Sequence, residues 1–206
     1  MAASPLRRIA VVSLEVRPAT PDRWNDLVRV FGRRGEDPSW CWCQLFLRST
    51  PTGSATSEPV PDNREALRQE IAHAAVPPGL LAYVDDHPVG WTRVGPRIDF
   101  PRVGGNRPLA KLLSDEPGVW WVTCFAVDSR YRRSGVGSAL LNAAVEFARD
   151  HGATAVEGHP VDVARLSAAR VGGSAVFTGT VAMFAAAGFT EVGRTYPSRP
   201  VMRAPV

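Results

Sequence analysis

Apolar residues in this 206-residue chain follow two different rhythms. Val119 to Val127 is an unbroken run of β-branched, aromatic and small apolar residues, the composition of a buried strand. After a polar turn the period changes. Val136, Leu140, Leu141, Ala144, Val145 and Ala148 recur at three- and four-residue steps, which predicts a helix from Gly135 to Asp150 stopped at His151-Gly152. The rest of the chain can be read in the same way. Ile9 to Arg17 reads as a strand, and Thr20-Pro21-Asp22 as a helix start, with a capping hydroxyl before a first-turn proline. A second helix fits Asn63 to Ala75, ended by Pro77-Pro78-Gly79. Leu80 to Val84 and Val89 to Val94 flank Asp85-Asp86-His87-Pro88 as a hairpin. Ala153 to His159 reads as a strand, Thr178 to Ala187 as a short helix, and Thr190 to Thr195 and Pro200 to Arg203 as closing strands. The order β-α-α-β-β-β-α-β-α-β-β predicts an α/β (α+β) fold, organised as one domain over residues 1–206.

The turn between the central strand and helix carries the chemistry. It reads Asp128-Ser129-Arg130-Tyr131-Arg132-Arg133-Ser134 and runs into Gly135-Val136-Gly137-Ser138. A helix start leaves backbone N–H groups unpaired and carries partial positive charge. Gly135 and Gly137 remove side chains that would hold a ligand away from those groups, and Arg132 and Arg133 add formal charge. Together they make an anion cradle. It is not a Walker loop, which needs a lysine before its Ser/Thr. Nor is it a dinucleotide fingerprint: seven residues separate strand from glycine, and Leu140 stands where the third glycine belongs.

Arg132-Arg133-Ser134-Gly135-Val136-Gly137 fits the pattern Arg/Gln-x-x-Gly-x-Gly, and in its strand–turn–helix frame it resembles the acetyl-CoA pyrophosphate loop of the GNAT N-acetyltransferase superfamily. The element order resembles that family's over nearly the whole chain. The resemblance implies a mixed, mostly antiparallel sheet of about six or seven strands flanked by about four helices, with a V-shaped splay between strands 4 and 5. It implies acetyl-CoA as co-substrate, no metal, and direct acetyl transfer to a primary amine. The pantetheine arm is expected to pair with the backbone of Phe125, Ala126 and Val127. A backbone N–H near Phe125 is expected to polarise the thioester carbonyl. Arg132, Arg133, Ser134, Gly135, Val136, Gly137 and Ser138 are expected to hold the pyrophosphate.

The attacking amine must be neutral. An α-amino group, with pKa roughly 8, is about a tenth neutral at pH 7; a lysine-like amine, with pKa roughly 10.4, is neutral in less than about one molecule in a thousand. Glu157 is the first candidate base and His159, on the same strand face, the second. A salt bridge for Glu157 and a structural hydrogen bond for His159 are the competing readings. Cys124 reads as packing. The family often places a tyrosine four residues before the Gly-Phe of the last helix, as acid for the departing thiolate. Here Phe184 stands there, and Phe177 stands where the family has an asparagine seven residues earlier. Thr180, one turn before Phe184 on the same face, is a candidate substitute for that acid, with an ordinary helix-surface hydroxyl as the competing reading. A thiol of pKa roughly 8.5 leaves as thiolate at a cost of only about 2 kcal/mol at pH 7, so catalysis survives without this acid.

Trp40-Cys41-Trp42-Cys43 admits two readings: thiols packed beside aromatic anchors, or Trp40 and Trp42 lining the acceptor pocket, which the family usually builds from this region. The long stretches Ser49 to Asp62, Gly95 to Gly118 and Pro160 to Phe177 are expected to shape acceptor specificity. Only Lys111 among 24 basic residues is lysine, and the net charge of +4 is spread along the chain, so nucleic-acid binding is not indicated. No stretch is long and apolar enough to span a membrane, and three unpaired-looking cysteines fit a reducing compartment; the cytoplasm is the expected address. The acceptor is a small molecule or a protein amine, and family relatives are often homodimers. Two other readings stay open: a catalytically weak acyl-CoA sensor on the same fold, and a nucleotide-phosphate binder that is no transferase.

Overall fold

The computed structural model describes residues 13–38, 40–47, 62–166 and 176–206. The start of the predicted first strand, most of the Ser49–Asp62 stretch and part of Pro160–Phe177 lie outside them. Among the described residues seven strands form one sheet: β1 (Leu14–Pro18), β2 (Gly79–Val84), β3 (His87–Pro96), β4 (Val119–Val127), β5 (Ala155–Gly158), β6 (Thr190–Tyr196) and β7 (Arg199–Pro205). Their spatial order is β1-β2-β3-β4-β5-β7-β6. Every neighbouring pair is antiparallel except β4–β5, which is parallel. Among the described residues six α-helices accompany the sheet: α1 (Trp24–Phe31), α2 (Asn63–His73), α3 (Pro101–Gly104), α4 (Arg107–Ala110), α5 (Val136–Asp150) and α6 (Val181–Ala186).

Four of these helices match the predicted ones, with shorter ends. The other two, α3 and α4, lie within the Gly95–Gly118 stretch, which the apolar period had left unassigned. They are one-turn helices opened by Pro101 and Pro108, and Asn106 caps the second by accepting from the Leu109 N–H at 3.1 Å. Their apolar residues Phe100, Val103 and Leu109 bury Trp121 and Val201. Apolar contact with the sheet, not local propensity, explains so short a pair.

The sheet is covered on both faces. Leu140, Leu141, Ala144 and Ala148 of α5 pack on Ala82, Val122 and Val156, with Phe184 of α6 beside them. On the other face Leu27 and Phe31 of α1, and Leu67 and Ile71 of α2, pack on Leu81, Tyr83 and Trp91. Because both faces are buried, β2 is buried throughout and shows no alternation.

The feature that positions the site is where β4 and β5 part. Their pairing begins at Val119–Ala155 and ends at Val122–Gly158, although β4 continues to Val127. Beyond that point β4 remains bonded only to β3, through Phe125–Thr92, Ala126–Trp91 and Val127–Gly90. One backbone edge of β4 is thus without a strand neighbour over its last residues. This is the splay expected from the sequence.

Candidate functional site

A cavity of about 810 Å³ opens at this splay. Its wall includes Cys124 to Ser129 of β4 and the following turn, Arg132 and Gly137 at the start of α5, and Val176, Phe177, Gly179, Thr180 and Met183 before and within α6. From the other face of the sheet it is lined by Arg29 to Arg34, at the end of α1, and by Trp40, Cys41, Cys43 and Leu45.

The α5 start has the features of an anion site. Its first bond of the helical kind is Ala139 N–H to Gly135 O at 2.9 Å, so the N–H groups of Val136, Gly137 and Ser138 precede the ladder. Gly135 sits at φ 92°, a left-handed conformation that admits glycine at little cost, and it turns the chain into the helix. A Cβ at Gly137 would stand 3.1 Å from Met183 Sδ, on the cavity wall. Asp128 shapes the turn from within, accepting from Arg130 N–H at 2.9 Å and pairing with the Arg130 guanidinium at 2.8 Å. That guanidinium holds the Asp128 carboxyl below its ordinary range. Arg132 Nε donates to Val127 O at 3.4 Å, and Ser134 Oγ to Tyr131 O at 2.5 Å. Arg133 and Ser134 are exposed, and neither is among the lining residues.

Alternation along β4 sorts the three expected pantetheine contacts. Asp128 N–H donates to Val89 O at 2.9 Å, toward β3. Backbone groups of Ala126, two residues earlier, face the same way, and those of Phe125 and Val127 face the open edge. The Phe125 N–H is already engaged: it donates to Phe177 O at 2.6 Å. A segment of the chain itself therefore holds the donor expected to meet the thioester carbonyl.

The expected bases sit elsewhere. Glu157 is 2% exposed and lies between Arg97, at 2.7 Å, and Arg203, at 3.0 Å. It does not line the cavity, and the salt-bridge reading describes it. His159 lies just past β5, with Nε2 2.8 Å from Thr195 Oγ1 and 3.3 Å from Arg199 O. Burial, and then the nearby Arg199 charge, push its pKa down to about 4. It too is absent from the cavity wall, so the structural reading holds there as well.

Trp42 departs from the expectation in the same way. It is fully buried, stacks on Trp24 at 5.7 Å between ring centres, meets Phe31 edge-on at 4.8 Å, and donates through Nε1 to Asp37 O at 3.0 Å. Trp42 and Cys43 both have left-handed backbone, φ 37° and 56°. Such strain costs about 1–3 kcal/mol per residue and is held by surrounding packing. The buried Trp42 anchors the turn, and its neighbours Trp40, Cys41 and Cys43 form the wall. Phe184 is fully buried against Phe189 and Phe125 and does not reach the cavity. Thr180 does line it, and caps α6 by accepting from Met183 N–H at 3.3 Å.

Several lining residues had no signal in the sequence pattern. Arg29, Arg33 and Arg34 read there as dispersed charge, and Cys124 as packing; only the α1–β4 contact brings them to one cavity. Among the described lining residues, the titratable groups other than the arginines are Asp128 and the thiols of Cys41, Cys43 and Cys124. Burial raises the thiols of Cys41 and Cys43, and Cys43 accepts a bond from Trp91 Nε1 at 3.0 Å. Asp128 is committed to Arg130. No strong base faces this cavity among the described residues, nor is any group of three or more metal-ligating side chains found among them.

A family model for the acetyltransferase (GNAT) family matches residues 40–171. The chain therefore belongs to that family of acetyltransferases. Solved structures agree at the level of the fold. The GNAT domain of S. lividans PAT superposes with TM-score 0.52 at 18% identity, covering 94% of this chain and 90% of that one. The PaiA N-acetyltransferase of Thermoplasma acidophilum, solved in complex with coenzyme A, gives 0.51 at 14% identity over 95% of this chain and all 100% of the other. A GCN5-related N-acetyltransferase from Kribbella flavida gives 0.51 at 18% identity, covering 94% and 98%. No curated protein sequence matches.

Two predictions test these placements. Glu157→Gln leaves two arginines facing a neutral amide, so unfolding free energy falls by about 2–4 kcal/mol in denaturant titration. Turnover per folded molecule stays within a few-fold; a loss of a hundredfold in a folded variant would return Glu157 to the chemistry. The second concerns His159. The unfolded chain binds a proton near pH 6.5, but the folded chain only near pH 4. Stability is therefore complete above about pH 6.5 and falls toward pH 4, by at most about 3 kcal/mol. His159→Gln flattens that part of the stability–pH curve; an unchanged curve would contradict the assignment.

Proposed function

We propose that this protein moves the acetyl group of acetyl-CoA directly to a primary amine. The observation that carries the reading is the meeting of two features at one cavity. One is a helix start whose first N–H groups precede the helical ladder, with Gly137 and Arg132; the other is a β4 edge that has no strand neighbour at Phe125 and Val127. The residues present suit acetyl-CoA. Val136, Gly137 and Ser138 N–H groups, with Arg132, Arg133, Ser134 and Gly135 around them, bind the pyrophosphate. Backbone groups of Phe125 and Val127 pair with the pantetheine amides, while Ala126 between them stays bonded to Trp91 of β3. When bound, acetyl-CoA supplies an activated acyl carbon.

The chain's part in transfer is orientation and charge stabilisation. The amine nitrogen bonds to the acyl carbon, the carbon–sulfur bond breaks, and CoA leaves as a thiolate that Thr180 is placed to receive by hydrogen bond. The nitrogen's proton passes to solvent, because the described wall offers no strong base. Phe125 N–H stabilises the developing oxyanion, a contribution of about 3–4 kcal/mol in other enzymes. To do so it must first leave Phe177 O. Acetyl-CoA entry is thus coupled to a shift of Val176–Gly179. In this reading the enzyme acts in the cytoplasm.

Acetyl-CoA at a hundred times its dissociation constant adds about 2.7 kcal/mol to stability, a rise of roughly 5–10 °C in melting temperature for a chain of this size. Gly137→Glu abolishes the rise and ATP does not reproduce it. No rise at saturating acetyl-CoA would refute the reading. With transfer measured, kcat/KM climbs tenfold per pH unit up to the acceptor's own amine pKa. A plateau set well below that pKa would reveal an enzyme base.

A further inference from the structure

The charges around the cavity select its acceptor. Arg29, Arg33 and Arg34 line it from the α1 end, on the sheet face opposite α5 and its anion-binding start. Arg29 is paired to Asp26 at 3.1 Å. Arg33 and Arg34 have exposed side chains and no carboxylate partner among the described residues. Arg34 lies 6.0 Å over the Trp40 ring, which holds its planar guanidinium at the wall. Asp128 is the only carboxylate among the described lining residues, and Arg130 already neutralises it. The same end carries apolar surface from Phe31, Trp40 and Leu45.

This end of the cavity repels a polycation. A guanidinium stays charged at any working pH, so the repulsion does not titrate away. Among the described lining residues no acid is free to receive a second ammonium. The cavity has two planar forks suited to a carboxylate or a phosphate. Its total volume of about 810 Å³ must also admit the acetyl-pantetheine arm, which leaves room for a small partner. Cavities of about 300–1,000 Å³ typically take one drug-sized ligand.

Resting on the acetyl-transfer reading, we infer that the acceptor is a small primary amine bearing its own anionic group, with Arg33 and Arg34 as the residues that recognise it. Its apolar body lies against Trp40 and Leu45, and the anion is held at the arginines. Polyamines and aminoglycoside-like amines are thereby excluded as good substrates.

The test measures CoA-thiol release with matched amines. L-phenylalanine is compared with L-phenylalaninamide, O-phosphoethanolamine with ethanolamine, and spermidine serves as the polycation. The amide has the less basic amine, so a preference for the acid cannot come from amine reactivity. The expected result is a kcat/KM at least tenfold higher for one anionic amine than for its neutral match, with spermidine poorest. The pair that responds tells carboxylate from phosphate. Arg33→Glu/Arg34→Glu removes the preference while the acetyl-CoA dissociation constant, measured by calorimetry, stays within about twofold. Three results would overturn the inference: neutral or cationic amines used as well as anionic ones; no anionic amine used although acetyl-CoA binds; or a tenfold loss of acetyl-CoA affinity in the double variant, which would assign these arginines to the CoA phosphates. Failure of the wild type to bind acetyl-CoA is a different outcome and removes the acetyl-transfer reading itself.

Discussion

The backbone of β4 has hydrogen-bonding groups on two edges, and after Val122 only one of them has a strand beside it. Unpaired backbone polar groups in a folded protein must find partners. Much of the site follows from that requirement. Phe125 N–H finds Phe177 O, which draws the segment before α6 against β4; Val127 O finds Arg132, which draws the basic turn back toward the strand. The parting of β4 from β5 thus creates both the slot and the contacts made within it.

Around this edge the two faces of the sheet supply different chemistry. The α5 face brings a helix start, glycines and Arg132, the features of an anion site. The α1 face brings the Trp40–Cys43 turn, held in strained geometry by the burial of Trp42 among Trp24 and Phe31. In the proposed reading the α5 side holds acetyl-CoA and the α1 side faces the acceptor. A wall with no strong base among its described residues suits an amine that is neutral often enough on its own, and in that reading the arginines of the α1 end choose the amine.

Local patterns in the sequence showed the fold more fully than the site. The apolar run of β4 and the change of period at Gly135 located the strand, turn and helix that carry the cradle, because each depends on neighbours close in sequence. Glu157 and His159 were misplaced for a related reason. Strand alternation put them on one face, but β5 ends at Gly158, and the side chains that decide their roles, Arg97, Arg203 and Thr195, are distant in the chain. Trp40 and Trp42 look equivalent in sequence, and only the left-handed backbone at Trp42 and Cys43 sends one ring into the core and leaves the other at the wall. The one-turn helices α3 and α4 carry too few residues to show a period. Arg33 and Arg34 could not be told from ordinary surface charge until α1 was placed against the sheet.

The central claim is that acetyl-CoA takes the β4 edge now held by Phe177 and the start of α5. Hydrogen–deuterium exchange, followed residue by residue with and without acetyl-CoA, tests it most directly. The account predicts slowed exchange at Val136, Gly137 and Ser138 and at Val127, together with faster exchange in Val176–Gly179 as that segment gives up β4. Slowed exchange confined to other elements, or no change at all in these segments at saturating acetyl-CoA, would contradict it.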